Sequence, residues 1–266
     1  MTVSLVAFDL DGTLIGRDLT IRPRVKDAVA RMRSAGVRGC IVTGRMYRSS
    51  LPYARELDLD GPIVCYQGAA IVDPSTDEVL FDVPLPNETV RKLIDVVEAD
   101  GLHLQLYRND EYYSEARNRF SDMYARLSNM QPIVVPSLRE TFAYDPATKA
   151  VVIADADVAA QYVERIRGIL GDSAYVTRSY PEFVEILNPN VDKGQALRFV
   201  ANRMGVDIAD VLAIGDSWND APLLKAAGFG IAMGSAPEEL RGIAKALVDD
   251  VANDGVAEAI ERYVLT

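Results

Sequence analysis

Short polar segments follow three apolar runs of this sequence, and a further polar segment near position 193 contains a lysine. Each run is of the kind that forms a buried strand, and ligands of open α/β sheets bind outside the carboxyl ends of the strands. We therefore expect these segments to meet in one site. The segments are Asp9-Leu10-Asp11-Gly12-Thr13, Thr43-Gly44-Arg45, Asp192-Lys193-Gly194 and Gly215-Asp216-Ser217-Trp218-Asn219-Asp220.

Four carboxylates, those of Asp9, Asp11, Asp216 and Asp220, stand in these segments. Carboxylates that converge on one edge of a sheet repel one another unless a cation lies among them. Mg²⁺ prefers carboxylate oxygens and water as ligands. The sequence therefore predicts that these four residues surround one Mg²⁺.

The first two carboxylates are two residues apart at the end of a strand, so Asp9 and Asp11 can point to the same side. Such a pair can divide the work of phosphoryl transfer. One carboxylate attacks phosphorus, and the other protonates the leaving oxygen and later deprotonates a water. Gly12 lets the backbone turn sharply beside the ligand.

Groups that suit a phosphoryl oxygen stand in the other segments. Thr43 supplies a hydroxyl, Gly44 permits close approach of the backbone, and Lys193 supplies a positive charge. Arg45 either contacts the substrate or forms a surface ion pair at the start of a helix.

The two ends of the chain alternate apolar runs with segments of helical period. Runs at 5–8, 40–42 and 63–66 are separated by helical stretches at about 23–35 and 49–57. In the same way, a helix at about 193–204 precedes the run at 211–214, and a second helix precedes the run at 230–233. Repeated units of this kind predict a doubly wound, Rossmann-like parallel α/β sheet with right-handed crossovers.

The middle of the chain is more amphipathic and more aromatic, and proline-bearing segments bracket it. It suits a sheet with one wet face, backed by helices near 88–100 and 157–170. We expect an inserted α+β domain over 84–189 and an α/β core built from 1–83 and 190–266. The tyrosines at 107, 112, 113 and 124 are expected in the core of the insert.

Composition excludes several classes of function. With 28 Lys+Arg against 39 Asp+Glu, the formal net charge is −11, which disfavours nucleic acid and anionic membrane surfaces as partners. No segment approaches about 18 consecutive apolar residues and no leader is evident, so a cytoplasmic protein is expected. Cys40 and Cys65 are predicted to be buried apolar residues, and the single histidine, His103, an ordinary polar residue at a strand start.

The four segments resemble, in order, the four motifs of the haloacid dehalogenase superfamily. The long insert looks like the type C2B cap of that superfamily. Residues 232–234 and 253–256 look like the tail of its Cof-type phosphatases. The resemblance covers essentially the whole chain, and four motifs in order are much more specific than the first alone.

The resemblance implies a role for each residue. Asp9 would become an aspartyl phosphate, Asp11 would be the general acid/base, and Thr43 and Lys193 would hold the phosphoryl group. Mg²⁺ would be bound by the Asp9 carboxylate, the Asp11 main-chain carbonyl and Asp216. Asp220 would bond to a metal-bound water or to Lys193. Asn219 would contact the phosphate or orient the residues that do.

Two positions depart from the family pattern. Trp218 stands where a non-aromatic residue is expected, and it either lines the substrate entrance or packs on the neighbouring helix. Gln67-Gly68 replaces the usual Asn-Gly at the end of the third strand, which would change what fits if that amide contacts the substrate.

The resulting prediction is a Mg²⁺-dependent phosphatase of small phosphorylated metabolites. Sugar phosphates are favoured over nucleotide or cofactor phosphates such as pyridoxal phosphate or flavin mononucleotide. A phosphomutase of the same superfamily is the alternative among enzymes. A non-catalytic regulator that binds a phosphorylated ligand is the alternative outside them. A degenerate binder would be expected to have lost at least one of the five residues that are all present here: Asp9, Asp11, Lys193, Asp216 and Asp220.

Overall fold

The chain folds into two compact units in a computed structural model that describes residues 2–265. The core unit comprises Met1–Leu80 and Asp192–Thr266, and the inserted unit comprises Phe81–Val191. The core unit is thus assembled from two segments that are far apart in sequence. The inserted unit is one continuous segment between them.

The core unit is built on a five-stranded parallel sheet with the order β14-β13-β12-β1-β2. Its strands are β1 (Leu5–Phe8), β2 (Arg38–Ile41), β12 (Val211–Gly215), β13 (Phe229–Ala232) and β14 (Ala246–Leu247). Its helices are α1 (Pro23–Ser34), α2 (Tyr47–Glu56), α7 (Lys193–Arg203), α8 (Ala221–Ala226), α9 (Glu238–Arg241) and α10 (Gly255–Tyr263).

The sequence explains why the central strands are buried on both faces. β1 and β12 contain no charged residue, and every residue of both strands is buried. They pair in parallel with Leu5 opposite Val211, so the first and last parts of the core unit meet at the centre of the sheet. The flanking helices turn apolar stripes inward, as α1 does with Val25, Val29 and Met32.

A smaller sheet extends the core unit beyond β2. It consists of β3 (Ile63–Cys65), β4 (Ala70–Val72) and β5 (Val79–Asp82), and β5 continues past the boundary between the two units. A single parallel bridge between Val42 and Val64 connects β3 with the end of β2. The chain then turns sharply through residues 66–68 and returns antiparallel as β4.

The inserted unit contains a six-stranded sheet with the order β10-β11-β9-β6-β7-β8, antiparallel except between β7 and β8. Its strands are β6 (His103–Arg108), β7 (Glu111–Ser114), β8 (Ile133–Val134), β9 (Lys149–Ile153), β10 (Tyr175–Arg178) and β11 (Phe183–Leu187). Its helices are α3 (Asn87–Asp100), α4 (Arg119–Ser128), α5 (Leu138–Thr141) and α6 (Ala156–Leu170).

Strand alternation gives this sheet two different faces. On one face Leu104, Leu106 and Val152 belong to the hydrophobic cluster that α3 and α6 complete. The next residues in register point to the other face, where Gln105, Tyr107, Lys149 and Glu185 are buried. Polar residues on this second face therefore have to satisfy one another.

The fold class predicted from the sequence is confirmed: a parallel α/β core and a mainly antiparallel α+β insert. The aromatic residues of the insert are largely internal, because Tyr107 and Tyr112 are fully buried and both contact Tyr124 with ring centroids 5.8 and 4.9 Å apart. Cys40 and Cys65 are both buried, as expected, and neither forms a disulfide in the described part of the chain. Within residues 2–265, no helix combines the length and apolarity needed to cross a bilayer.

Candidate active site

The polar segments identified in the sequence come together at the carboxyl end of the core sheet. Asp9 follows β1, Thr43 lies two residues beyond β2, Asp216 follows β12, and Lys193 is the first residue of α7. Of the predicted residues, Asp9, Asp216, Asp220 and Lys193 form one cluster, and Asp11 pairs with Arg45 beside it.

Lys193 is the centre of the cluster. Its Nζ donates to Asp9 Oδ1 and to Asp220 Oδ1, both at 2.6 Å, and all three side chains are almost completely buried. Asp192 caps the helix by accepting from Gln195 N, which fixes the first turn of α7 and with it the direction of Lys193. The lysine can therefore reach both carboxylates without leaving the helix.

Asp220 has committed both oxygens to the protein. Oδ1 accepts from Lys193, and Oδ2 accepts from the backbone N–H groups of Asp216 and Ser217 at 3.0 Å each. Of the two roles the resemblance allows this residue, the structure displays the contact with Lys193. Asp220 thus braces the loop that carries Asp216.

Asp216 is held against the turn that follows β1. Thr13 Oγ1 donates to Asp216 Oδ1 at 3.1 Å. Gly12 has φ +82°, and a Cβ there would lie 2.1 Å from Asp216 Oδ2, so only glycine permits this approach. The sequence contained Gly12 and Thr13 in the first segment, but the contact with a residue about two hundred positions away is a tertiary feature.

Burial and mutual repulsion shift the protonation of the cluster. Burial and then the charge of Asp220 raise the pKa of Asp9 from its ordinary 3.8 to about 7, against the lowering influence of Lys193. Burial, Asp9 and Asp220 raise the pKa of Asp216 well above its ordinary value. Burial alone would lower the pKa of Lys193, but the charges of Asp220 and Asp9 outweigh it and hold the lysine protonated.

The donor set of this cluster fits a hard divalent cation. Carboxylate oxygens of Asp9, Asp216 and Asp220 all lie within 4.8 Å of one another in the part of the chain that the structure describes. One lysine stands against these three carboxylates, so negative charge is left uncompensated. An oxygen-only set with excess negative charge is the kind of site that Mg²⁺ occupies.

Asp11 forms a bidentate ion pair with Arg45. Arg45 Nη2 donates to Asp11 Oδ1 at 2.6 Å, and Nε donates to Oδ2 at 2.7 Å. Arg45 is only 7% exposed, so the pair is buried on the arginine side and is not the surface ion pair considered from the sequence. This pairing directs both Asp11 oxygens at the guanidinium.

The Thr43–Arg45 loop presents a hydroxyl at the same edge of the sheet. Thr43 is 1% exposed, and its Oγ1 accepts from Arg45 N at 3.2 Å, so its hydroxyl hydrogen is directed elsewhere. Gln67 N donates to Thr43 O, and Tyr66 N donates to Arg45 O, both at 3.0 Å. The turn after β3 therefore holds this loop in place.

The two residues that depart from the family pattern lie in different places. Gln67 lies beside the Thr43–Arg45 loop, and Trp218 belongs to the loop that carries Asp216. Gln67 is buried and its Oε1 accepts from Asn219 Nδ2 at 2.8 Å. Trp218 retains 36% of its accessible surface. The Gln67–Asn219 and Asp11–Arg45 contacts were not predicted, because sequence spacing carries no signal for pairs that meet only through the fold.

Comparison with known proteins agrees with this geometry. The sequence profile described as haloacid dehalogenase-like hydrolase matches residues 6–260. The chain is 30% identical over 264 residues to the 5-amino-6-(5-phospho-D-ribitylamino)uracil phosphatase of Bacillus subtilis (strain 168), with 97% of each chain covered. It is 28% identical over 277 residues to the pyridoxal phosphate phosphatase of Escherichia coli (strain K12), with 100% of each covered.

A solved structure is similar along the whole chain. The haloacid dehalogenase-like hydrolase from Bacteroides thetaiotaomicron superimposes with a TM-score of 0.85 at 30% sequence identity. The alignment covers 98% of this chain and 99% of that one.

Proposed function

The chain is an enzyme of the haloacid dehalogenase-like hydrolase family, and from that premise we propose that it is a Mg²⁺-dependent phosphatase with Asp9 as nucleophile. Its substrates are phosphorylated small molecules, the class to which the substrates named for its two similar phosphatases belong. The observation that carries the proposal is the buried group of Asp9, Lys193 and Asp220 beside Asp216. Asp11 lies two residues after Asp9 in the sequence.

The first step is attack by a carboxylate oxygen of Asp9 on phosphorus. Lys193 holds Oδ1 of Asp9 at 2.6 Å, which orients the second oxygen and supplies positive charge to the phosphoryl oxygens. As the bond from Asp9 to phosphorus forms, the bond from phosphorus to the ester oxygen breaks. Thr43 is buried at the same edge of the sheet, and we assign its hydroxyl and the Gly44 backbone to the phosphoryl oxygens.

Asp11 handles the proton in both steps. Protonated, it gives its proton to the departing ester oxygen; as a carboxylate, it then takes a proton from the water that attacks the aspartyl phosphate. That attack breaks the bond between phosphorus and Asp9 and releases phosphate. Because both Asp11 oxygens are bonded to Arg45, this ion pair has to open before Asp11 can donate a proton.

Mg²⁺ would be held by Asp9 and Asp216, with Asp220 acting through Lys193 and the loop. When bound, it supplies positive charge that offsets the phosphoryl oxygens and the excess of carboxylates. Asn219, buried beside Gln67, is assigned to the phosphate side of the site.

Release of phosphate from p-nitrophenyl phosphate with and without Mg²⁺ tests the proposed activity. We expect turnover that requires the metal, is lost in Asp9→Asn, and is strongly reduced in Asp11→Asn. Acid quenching of Asp11→Asn should trap a phosphate adduct on the peptide containing Asp9, because the second step lacks its base. No turnover with Mg²⁺, or turnover unaffected by Asp9→Asn, would refute the proposal.

The identity of the natural substrate is a separate prediction. Sugar phosphates are the class favoured from the sequence, and the two similar phosphatases are named for phosphate esters that carry a heterocycle. A panel of sugar phosphates, pyridoxal phosphate, flavin mononucleotide and nucleotides, ranked by kcat/KM, distinguishes them. Transfer of the phosphoryl group within a sugar, without release of phosphate, would indicate the mutase alternative.

A further inference from the structure

The turn after β3 carries an unusual combination of backbone conformation and burial. Tyr66 and Gln67 both adopt left-handed conformations, with φ of 50° and 58°, although neither is glycine. Residues in this region persist only where the surrounding structure holds them, and they concentrate at functional sites. Here the conformation turns the Gln67 side chain inward, where it is 1% exposed.

The carboxamide of Gln67 lies against the phosphate-binding loop assigned above. A Cβ built on Gly44 would lie 2.2 Å from Gln67 Nε2, so the amide nitrogen packs directly over the Gly44 backbone. The backbone of the same turn bonds to Thr43 and Arg45 on either side of Gly44. Gln67 Nε2 is therefore positioned next to the loop by packing on Gly44 and by two backbone hydrogen bonds, and none of these contacts uses the hydrogens of its side-chain amide.

The hydrogen bonds of this carboxamide are only half used. Oε1 accepts from Asn219 Nδ2 at 2.8 Å, whereas Nε2 is buried and has no hydrogen-bond partner among the described residues. Asn219 Oδ1 is a second buried atom without a partner. Buried polar groups are almost always hydrogen-bonded, and an unsatisfied donor at a ligand site indicates a contact that the ligand completes.

We propose that Gln67 is a recognition residue of this enzyme, whose Nε2–H donates to a phosphoryl oxygen of the bound phosphate ester while its Oε1 holds the Asn219 amide. This inference rests on the proposed phosphatase function. A neutral donor strengthens the binding of the phosphoryl group, alongside Lys193, without adding a further positive charge to the site. It recognises the phosphoryl group, so it contributes to every substrate in the same way.

Binding of inorganic phosphate in the presence of Mg²⁺, measured by calorimetry and as competitive inhibition of p-nitrophenyl phosphate hydrolysis, tests the contact. Gln67→Met keeps the length of the side chain and removes both amide groups. Gln67→Glu keeps an oxygen that accepts from Asn219, removes the unpartnered donor and adds a negative charge in its place. Gln161→Met, at an exposed position of α6, is the matched control.

We expect both Gln67 variants to weaken phosphate affinity and raise KM by about tenfold or more, as for a lost hydrogen bond to a charged acceptor. The effect on kcat should be smaller, because the contact is made with substrate and product alike. Thermal unfolding identifies any variant that fails to fold. Gln67→Glu, which retains the Asn219 bond, then still tests the contact, because wild-type phosphate affinity in this more negative variant would overturn the proposal.

The Gln67→Met change is repeated in an Asn219→Ala background to separate direct contact from an indirect effect. A tenfold loss in both backgrounds supports the proposal. A loss confined to the chain with Asn219 would mean that Gln67 only positions that residue, and wild-type affinity in Gln67→Glu would also overturn the proposal. Wild-type protein that neither binds phosphate nor turns over substrate refutes the proposed function itself, whereas a normal wild type with insensitive variants refutes this inference alone.

Discussion

Each unit of the protein buries a lysine among carboxylates, and the two groups differ in their balance of charge. In the inserted unit, Lys149 lies 2.7 Å from Glu185, and the two side chains are 1% and 3% exposed. In the core unit, Lys193 is equally buried but faces Asp9 and Asp220, with Asp216 beside them. The first group has one carboxylate for its lysine, and the second has three.

The neutral pair is completed by the protein itself. Lys149 and Glu185 lie diagonally on neighbouring strands, since Glu185 is opposite Val151. Ser179 donates to Oε1 of Glu185, the oxygen that does not face Lys149. The centroid of the Tyr107 ring lies 4.8 Å from Lys149 Nζ. Such a pair needs no ligand, so burial of charge by itself does not mark a functional site.

The unbalanced cluster differs because its own residues cannot neutralise it. Burial, and after it the repulsion among these carboxylates, raises the pKa values of Asp9 and Asp216. Perturbed carboxylates that gather at the end of a sheet are where catalysis is expected. The balance of charge therefore distinguishes a structural ion pair from the proposed catalytic cluster, and the following experiments test that distinction.

Asp9→Asn should have the largest effect, and in opposite directions on activity and stability. Loss of the proposed nucleophile should lower kcat by at least about a thousandfold. The metal-free protein should melt at a higher temperature than the wild type, because one repelling carboxylate is removed. Phosphate release and thermal unfolding in EDTA measure the two effects.

The same change at an exposed position, Asp172→Asn, is the control and should leave both quantities unchanged. If Asp9→Asn destabilised the metal-free protein, the cluster would not carry the excess charge that the comparison assigns to it.

Lys149→Met should destabilise the inserted unit without touching the chemistry. It leaves Glu185 buried without its partner, which costs about 3–5 kcal/mol in the free energy of unfolding. Urea unfolding measures the loss. The value of kcat per folded molecule should stay within about twofold, since Lys149 belongs to a self-contained pair.

Replacing both partners, as Lys149→Met with Glu185→Leu, should recover most of that stability because no charge is left unpaired. A double variant as unstable as the single one would show that the pair does more than neutralise itself.

His103 should make the inserted unit sensitive to acid. Burial lowers the pKa of His103 from 6.5 to about 4. The contact between Asn118 Nδ2 and His103 Nδ1 at 3.1 Å also favours an unprotonated Nδ1, because Asn118 Oδ1 is occupied as the cap of α4. As the pH falls, His103 takes up its proton in the unfolded chain first. The stability that the unprotonated, buried His103 contributes is therefore fully present above pH 6.5 and is lost as the pH falls to about 4.

The loss of this contribution lowers the free energy of unfolding by at most about 3 kcal/mol. Urea unfolding of wild type and His103→Gln at pH 7 and pH 4 measures it, and the variant should lose less stability between the two. Equal losses in both proteins would show that His103 does not titrate in this way.

Mg²⁺ should stabilise the core unit by a smaller amount. A ligand present at one hundred times its Kd adds about 2.7 kcal/mol to the free energy of unfolding. Asp216→Asn should reduce this gain, and Lys149→Met should not. Thermal unfolding over a Mg²⁺ titration measures both, with Ca²⁺ as a comparison ion.

The gain from Mg²⁺ should also grow with pH. The folded pKa of Asp9 is raised to about 7 from 3.8, so its protonation stabilises the metal-free fold fully below pH 3.8 and this contribution is lost as the pH rises through about 7. Mg²⁺ binds the ionised form. A larger shift in melting temperature at pH 8 than at pH 6 is expected, and a smaller difference between the two pH values in Asp9→Asn, where Asp216 is the remaining carboxylate with a raised pKa.

Much of this arrangement was predictable because its signals are local. Apolar runs marked β1, β2 and β12, and the polar residues that end them could be placed at one edge of a parallel sheet. Lys193 was identified from its place at a helix start after Asp192. Three helices of the core, α1, α2 and α7, were predicted within one or two residues, as comparison of the expected 23–35 with Pro23–Ser34 illustrates. The helices α9 and α10 were not predicted.

The contacts that refine the site were not predictable, since each joins segments that only the fold brings together. Arg45 was recognised, but its bidentate pairing with Asp11 depends on how two loops meet. Gln67 stood out only as a departure from a pattern, and its left-handed backbone is not encoded by its residue type. In the insert, α4 was not predicted.

The pairing of β1 with β12 has a consequence for how the protein is made. Leu5 leaves the ribosome early, but its partner Val211 follows only after the entire inserted unit. At about 5–20 residues per second, synthesis from Ile41 to Val211 takes roughly 10–30 s. During this time one edge of the central strand waits without its neighbour, while Phe81–Val191 can complete its own sheet. Nascent chains should therefore acquire protease resistance in the middle first, and the catalytic half should be the part that depends on chaperones.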